Sequence, residues 1–159
     1  MNLVQYKIAS PIGSLYLVAS EKGLQSISWT KHPVKLRKSL DRSCSSGERI
    51  LDDTCRQLTE YFKEKRRRFD IPLDLEGTEF QKQVWKELSK IPFGQTWSYC
   101  DVAQRIKNPK AVRAVGSANG KNPVCIIIPC HRVIASDGSI GGYAGGIRIK
   151  QQLLKLEQK

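Results

Sequence analysis

Nowhere in the 159 residues does an apolar run approach the roughly 18 that a membrane-spanning helix needs, and the start, MNLVQYKIAS, lacks the charge and long apolar stretch of a secretory leader. A cytoplasmic protein without a membrane partner is expected. Histidine is scarce, with His32 and His131 far apart, and the five cysteines (Cys44, Cys55, Cys100, Cys125, Cys130) are an odd number without framework spacing. This excludes a secreted disulfide scaffold and the paired ligand spacing of a structural zinc site, although one disulfide remains open. No metal and no cofactor are expected. Repeats and low-complexity tracts are missing too, which leaves an ordinary globular protein able to bury one core or two small ones.

Acidic residues are the other shortage. With 15 Asp and Glu against 27 Lys and Arg the net charge is +12, which points to a polyanionic partner. The excess is uneven: residues 1–77 carry +4 and residues 78–159 carry +8, so the second half is the expected polyanion face. The densest basic run, KEKRRRF at 63–69, lies in the first half, where it reads equally well as a solvated helix end.

Residues 3–9, 14–19 and 24–30 are β-rich and separated by the turn signals SPIG and SEKG, predicting a small antiparallel meander. Ile50, Leu51, Thr54, Cys55, Leu58, Tyr61 and Phe62 then recur at helical spacing, and FDIPLDL is read as a possible further strand. Composition changes at Gly77, dividing an α/β N-terminal domain (1–76) from a mainly α C-terminal domain (77–159). Thr78 with Gln81 forms a capping box for a helix burying Phe80, Val84, Trp85 and Leu88. Ser98 with Asp101 starts a second helix, and Asn108-Pro109 is read as the start of a third. Their short joint is the layout of a helix-turn-helix. Arg113 stands among the small residues Ala111, Ala114, Gly116, Ser117 and Ala118, which suit either tight packing or close approach to another surface.

Residues 126–135 read IIIPCHRVIA. Three β-branched residues predict a buried strand, which Pro129 ends by removing a backbone donor, so Cys130 is delivered at the end of a rigid element. There it is either a small core hydrophobe or a nucleophile with His131 as its base. Adjacent Cys and His side chains diverge on extended chain, which disfavours a cysteine protease and favours proton relay through a water. Five of the nine residues from Gly138 to Gly146 are glycine, with Tyr143 among them as a stacking surface, and the last helix, IRIKQQLLKLEQK, is expected to bury Ile149, Leu153 and Leu156 with Glu157 near that edge.

PCHRV at 129–133, SY at 98–99, NPKAVRAVGSANGKNP at 108–123 and GGYAGG at 141–146 together resemble the O6-alkylguanine-DNA alkyltransferases, strongly over 78–157 and more loosely over the N-terminal segment. The resemblance implies a ribonuclease-H-like N-terminal domain, then a helix-turn-helix domain that binds double-stranded DNA carrying O6-alkylguanine. A monomer that repairs this lesion and O4-alkylthymine by single-turnover, irreversible transfer to Cys130 is implied. His131 would deprotonate Cys130 through a water, Glu157 would hold His131, Tyr99 would donate to the guanine ring, and Asn122 would tie the helix-turn-helix to the strand. Arg113 would fill the space of the flipped nucleotide, Ala111, Ala114 and Gly116 would press into the minor groove, and Ser98 would touch DNA. Tyr143, Val133, Ala144, Asn119 and Gly141 would line the base pocket, with the carbonyls of Cys130 and Val133 and the amide of Ala144 reading its edge. Cys125 stands where the family often has proline or alanine. The alternative is a non-enzymatic protein that binds alkyl lesions without repairing them.

Overall fold

The computed structural model describes residues 2–158, which form two compact units, Met1–Glu76 and Gly77–Lys159. In the first, β1 (Val4–Ile8), β2 (Leu15–Ala19) and β3 (Leu24–Ser28) make an antiparallel sheet in sequence order, with Tyr6 opposite Leu17 and Leu17 opposite Ile27. Helix α1 (Ser46–Phe62) packs on this sheet, burying Ile50, Leu51, Leu58 and Tyr61, whereas Cys55 and Phe62 stay half-buried at the edge of the predicted stripe. Ser45 caps the helix by accepting from the Glu48 amide. The segment FDIPLDL does not become a regular strand. It contributes one isolated parallel bridge, Leu73 to Leu24, because Pro72 has no amide to donate and offers only its carbonyl, to Leu24 N at 2.8 Å. The basic run follows the end of α1 in an exposed turn, where Arg66 pairs with Glu60 at 2.8 Å.

The second unit is mainly helical. Helix α2 (Glu79–Leu88) begins with the reciprocal Thr78–Gln81 capping box and buries Val84, Trp85 and Leu88, with Phe80 only half-buried. The two-residue strand β4 (Trp97–Ser98) runs into α3 (Tyr99–Arg105), which has its own capping box between Ser98 and Asp101. Helix α4 (Val112–Gly120) packs on α2 and α3, and Trp85 Nε1 donates to the Ala118 carbonyl at 2.9 Å.

Two expectations are corrected here. Helix α4 starts after Ala111, not at Asn108-Pro109. Asn108 opens a turn closed by Ala111 N on Asn108 O at 2.9 Å, and proline's fixed φ suits the second position of a turn as well as the first of a helix. The joint between the helices is therefore Ile106–Ala111, longer than expected. The triple isoleucine, likewise, is not a strand: residues 124–128 fold into a tight turn with a Cys125–Ile128 bridge and Ile126 at φ 77°. The isoleucines are buried as expected, with Ile127 half-buried, but a side chain overrides their strand preference. Asn122 Nδ2 donates to Ile128 O at 2.8 Å while its Oδ1 accepts from Val124 N at 3.0 Å, clamping the turn. A left-handed β-branched residue costs about 1–3 kcal/mol and persists only where neighbours over-determine it.

After Pro129 the chain forms a 3-10 turn, Cys130–Arg132, and then β5 (Val133–Ile134), which pairs in parallel with β4. A glycine-rich loop leads to α5 (Ile147–Glu157), whose buried face is Lys150, Leu153 and Glu157, while Ile149 and Leu156 are half-buried. Among the described residues no helix is long and apolar enough to cross a membrane, and no group of three or more His, Cys, Asp or Glu could hold a metal ion.

Candidate active site

Cys130 is not at a strand end. It opens the 3-10 turn, 2 % exposed, with its amide on the Ile128 carbonyl at 2.8 Å and its carbonyl facing Asn119 Nδ2 at 3.5 Å. A 3-10 turn advances about a third of a turn per residue, so Cys130, His131 and Arg132 point in three directions from one short segment. All three are buried.

His131 and Arg132 converge on Glu157. His131 Nε2 lies 2.7 Å from Glu157 Oε2, Arg132 Nε donates to Oε1 at 2.7 Å and Nη2 to Oε2 at 3.0 Å, and Gly94 N donates to Oε1 at 3.4 Å. Arg132 Nη1 also donates to the Ile91 carbonyl at 2.6 Å. Burial works against the charge of the Glu157 carboxyl, but the His131 and Arg132 hydrogen bonds overcome it and hold the group at about 2. Burial pushes His131 below its ordinary range, against the pull of Glu157, so the ring is neutral near pH 7. An ionised carboxylate only accepts, so the ring proton sits on Nε2 and the lone pair on Nδ1. Nδ1 is buried and meets no hydrogen-bonding group among the described residues. That makes it the basic atom of the site.

The Cys130 thiol is held below its ordinary value by a hydrogen bond from Cys125, by Asn122 and by the positive charge of Lys150, against the opposing effect of burial. Cys125 is pushed well above its own, first by that same bond and then by burial. The two sulfurs thus share one negative charge, and it belongs to Cys130. Tyr143 brings its hydroxyl to Cys125, and Tyr99 is shifted upward by burial and by Cys130. All five cysteines are free thiols.

The remaining predicted residues fall in three places. Asn119 is buried at the end of α4, and Asn122 clamps the turn that precedes the nucleophile. Ser98 caps α3, while Arg113 and Ala114 are exposed on α4, Ala111 precedes that helix and Gly116 lies within van der Waals reach of the Tyr99 ring. Gly141, at φ 73°, approaches Tyr99 so closely that a Cβ would stand 2.9 Å from its hydroxyl oxygen, and exposed Ala144 follows half-buried Tyr143. The Val133 carbonyl accepts from Lys150 Nζ at 2.6 Å. Arg132 and Lys150 were not singled out from the sequence. Lys150 had a readable signal, since it stands three and seven residues before Leu153 and Glu157 on the same helical face.

These features define a class: proteins with a thiolate nucleophile and an imidazole base fixed by a carboxylate, set beside a pair of small helices. Residues 79–159 match the model of the 6-O-methylguanine DNA methyltransferase DNA binding domain, and residues 3–75 that of the ribonuclease-like domain of the same family. The methylated-DNA--protein-cysteine methyltransferase of Methanosarcina barkeri is 48 % identical over 151 residues, covering 95 % of this chain and 94 % of its own. That of Mycobacterium tuberculosis is 44 % identical over 160 residues, covering 98 % and 93 %. A crystal structure of the Mycobacterium tuberculosis OGT in complex with DNA superposes with a TM-score of 0.87 at 40 % identity, covering 97 % and 92 %. The chain belongs to the 6-O-methylguanine DNA methyltransferase family.

Proposed function

We propose that this protein repairs double-stranded DNA by moving the alkyl group of O6-alkylguanine, and of O4-alkylthymine, onto Cys130 in one irreversible step. The observation that carries the reading is the buried Cys130 sulfur, favoured as a thiolate, next to a neutral His131 whose free lone pair is fixed by Glu157. His131 Nδ1 takes the thiol proton through one water. The thiolate then attacks the alkyl carbon, a sulfur–carbon bond forms, the carbon–oxygen bond breaks, and the electron pair leaves on the base. Tyr99 donates to the ring nitrogen as that charge grows, which helps the transition state more than the ground state. A pure lesion-binding protein has no use for this thiolate.

The fold-level parts of the reading follow from the same family. Residues 1–76 serve as a ribonuclease-H-like domain, and residues 77–159 as the DNA-binding and alkyl-acceptor domain of a cytoplasmic monomer. Helices α3 and α4 act as a helix-turn-helix whose small face, at Ala111, Ala114 and Gly116, enters the minor groove, with Ser98 on the DNA. The lesion leaves the stack at a cost of a few kcal/mol, and Arg113, exposed and charged, occupies its place. Tyr143, Gly141, Ala144, Asn119 and Val133 wall the pocket.

Mixing the protein with O6-methylguanine duplex tests this directly. Digestion of the DNA should show unmodified guanine replacing the lesion, and persistence of the lesion would overturn it. Binding to undamaged duplex should be nearly sequence-blind and weaken steeply with salt, given the +8 balance of residues 78–159, as a plot of log affinity against log salt will show. Arg113→Ala should slow repair of duplex far more than demethylation of free O6-methylguanine, because the side chain acts on the flipped geometry and not on sulfur. Equal losses in the two rate assays would contradict that role.

A further inference from the structure

Lys150 is fully buried, yet its ammonium meets no carboxylate among the described residues. Its hydrogen bonds go to two backbone carbonyls, Val133 O at 2.6 Å on β5 and Gly142 O at 3.1 Å in the glycine-rich loop. A buried charge that meets only carbonyl dipoles is costly, and burial accordingly draws Lys150 down to about 8. The anion that opposes this is Cys130: its charge favours the ammonium, and Lys150 in turn favours the thiolate. Both effects are reciprocal, as linkage demands. The same lysine fastens the loop. Gly141, next to its acceptor, lies so close that a Cβ would be 3.5 Å from Nζ and 2.9 Å from the Tyr99 hydroxyl.

We propose that Lys150 is a positioning residue whose ammonium balances the anionic Cys130 sulfur and fastens the loop 138–146 while that charge is present, so that alkylation loosens the loop. This rests on the alkyl-transfer reading. Forming the sulfur–carbon bond turns the thiolate into a neutral thioether, and the displaced electron pair departs with the base. The lysine is then a buried cation without an anion. It gives up its proton or moves toward water, and either change weakens the tie to Gly142. Chemistry at the sulfur is thereby transmitted to the segment that walls the pocket.

The charged and titratable groups around this pair are Cys125, His131 and Arg132 on the preceding turns, Tyr99 on α3 and Glu157 on α5. A Cys130-specific titration therefore compares thiolate absorbance with and without Cys130→Ser. Lys150→Met keeps the stem and removes the charge, and should raise the thiolate midpoint by about one pH unit or more, the usual effect of an opposite charge at close range. Lys150→Arg should bring it back down. A purely structural lysine would leave the midpoint in place, and that result overturns the proposal. Should Lys150→Met fail to fold, the wild-type protein carries the test through amide exchange before and after methylation by excess O6-methylguanine. Exchange across 138–146 should rise by about tenfold or more, since one unit of lost pairing is a tenfold change in an equilibrium. An unchanged loop overturns the proposal. If no methyl arrives at all, the transfer reading is what fails, and the thiolate titration still judges Lys150.

Discussion

Glu157→Ala should destabilise the protein by about 3–5 kcal/mol, the cost of removing one partner from a buried ion pair, and should largely abolish alkyl transfer. The carboxylate accepts from His131, Arg132 and Gly94 in one place, so its loss leaves an unpaired guanidinium in the interior and a histidine free to choose either tautomer. Glu157→Gln should be milder for stability, because an amide oxygen still accepts from Arg132. It should still slow transfer, because the amide can donate to Nε2 and turn the proton onto Nδ1, the atom needed as base. Denaturant melts and single-turnover rates separate the two effects. The acid limb follows from the same group: its value falls from 4.5 unfolded to about 2 folded, so its contribution is complete above 4.5 and is lost as pH falls toward 2. That shift corresponds to about 3 kcal/mol. His131, lowered from 6.5 by burial, works in the same direction from a higher pH, since below 6.5 the unfolded chain takes up the proton that the folded ring refuses. Stability should therefore begin to fall below pH 6.5 and drop more steeply below 4.5, an order that urea unfolding across pH will check.

Cys130→Ala should bind the methylated duplex and leave the lesion in place, a complete loss of transfer with DNA affinity retained. Nothing else in the site can replace the sulfur. Cys125 is adjacent, but its thiol is held protonated because the shared charge rests on Cys130. Transfer surviving in Cys130→Ala would move the chemistry to Cys125 or out of this site.

What could be read in the sequence was what local chemistry determines. The Thr78–Gln81 and Ser98–Asp101 capping boxes form as written, because each needs only residues three apart. The three-stranded meander follows from alternation and turns for the same reason. The isoleucine run failed as a strand because its conformation is decided by the Asn122 side chain, which composition does not reveal. Asn108-Pro109 failed as a helix start because proline fits two kinds of first turn, and only the Ala111–Asn108 bond chooses between them. In the site, Cys130 and His131 stood out as neighbours, whereas the link to Glu157 spans 26 residues and was available only through family resemblance. Arg132 and Lys150 were passed over since a basic residue in a basic chain reads as surface until its burial is seen.

The central claim is that this protein is consumed by its own reaction. A thioether carbon has no good leaving group, unlike a thioester or a disulfide, and no residue in the site is placed to remove the alkyl group. Intact-mass measurement after mixing with excess O6-methylguanine duplex tests this most directly. The account predicts one added methyl group per chain, mapped to the peptide holding Cys130 with Cys125 unmodified, and no further repair once the protein is used up. Sustained repair beyond one equivalent, or a methyl group on any other residue, would contradict it.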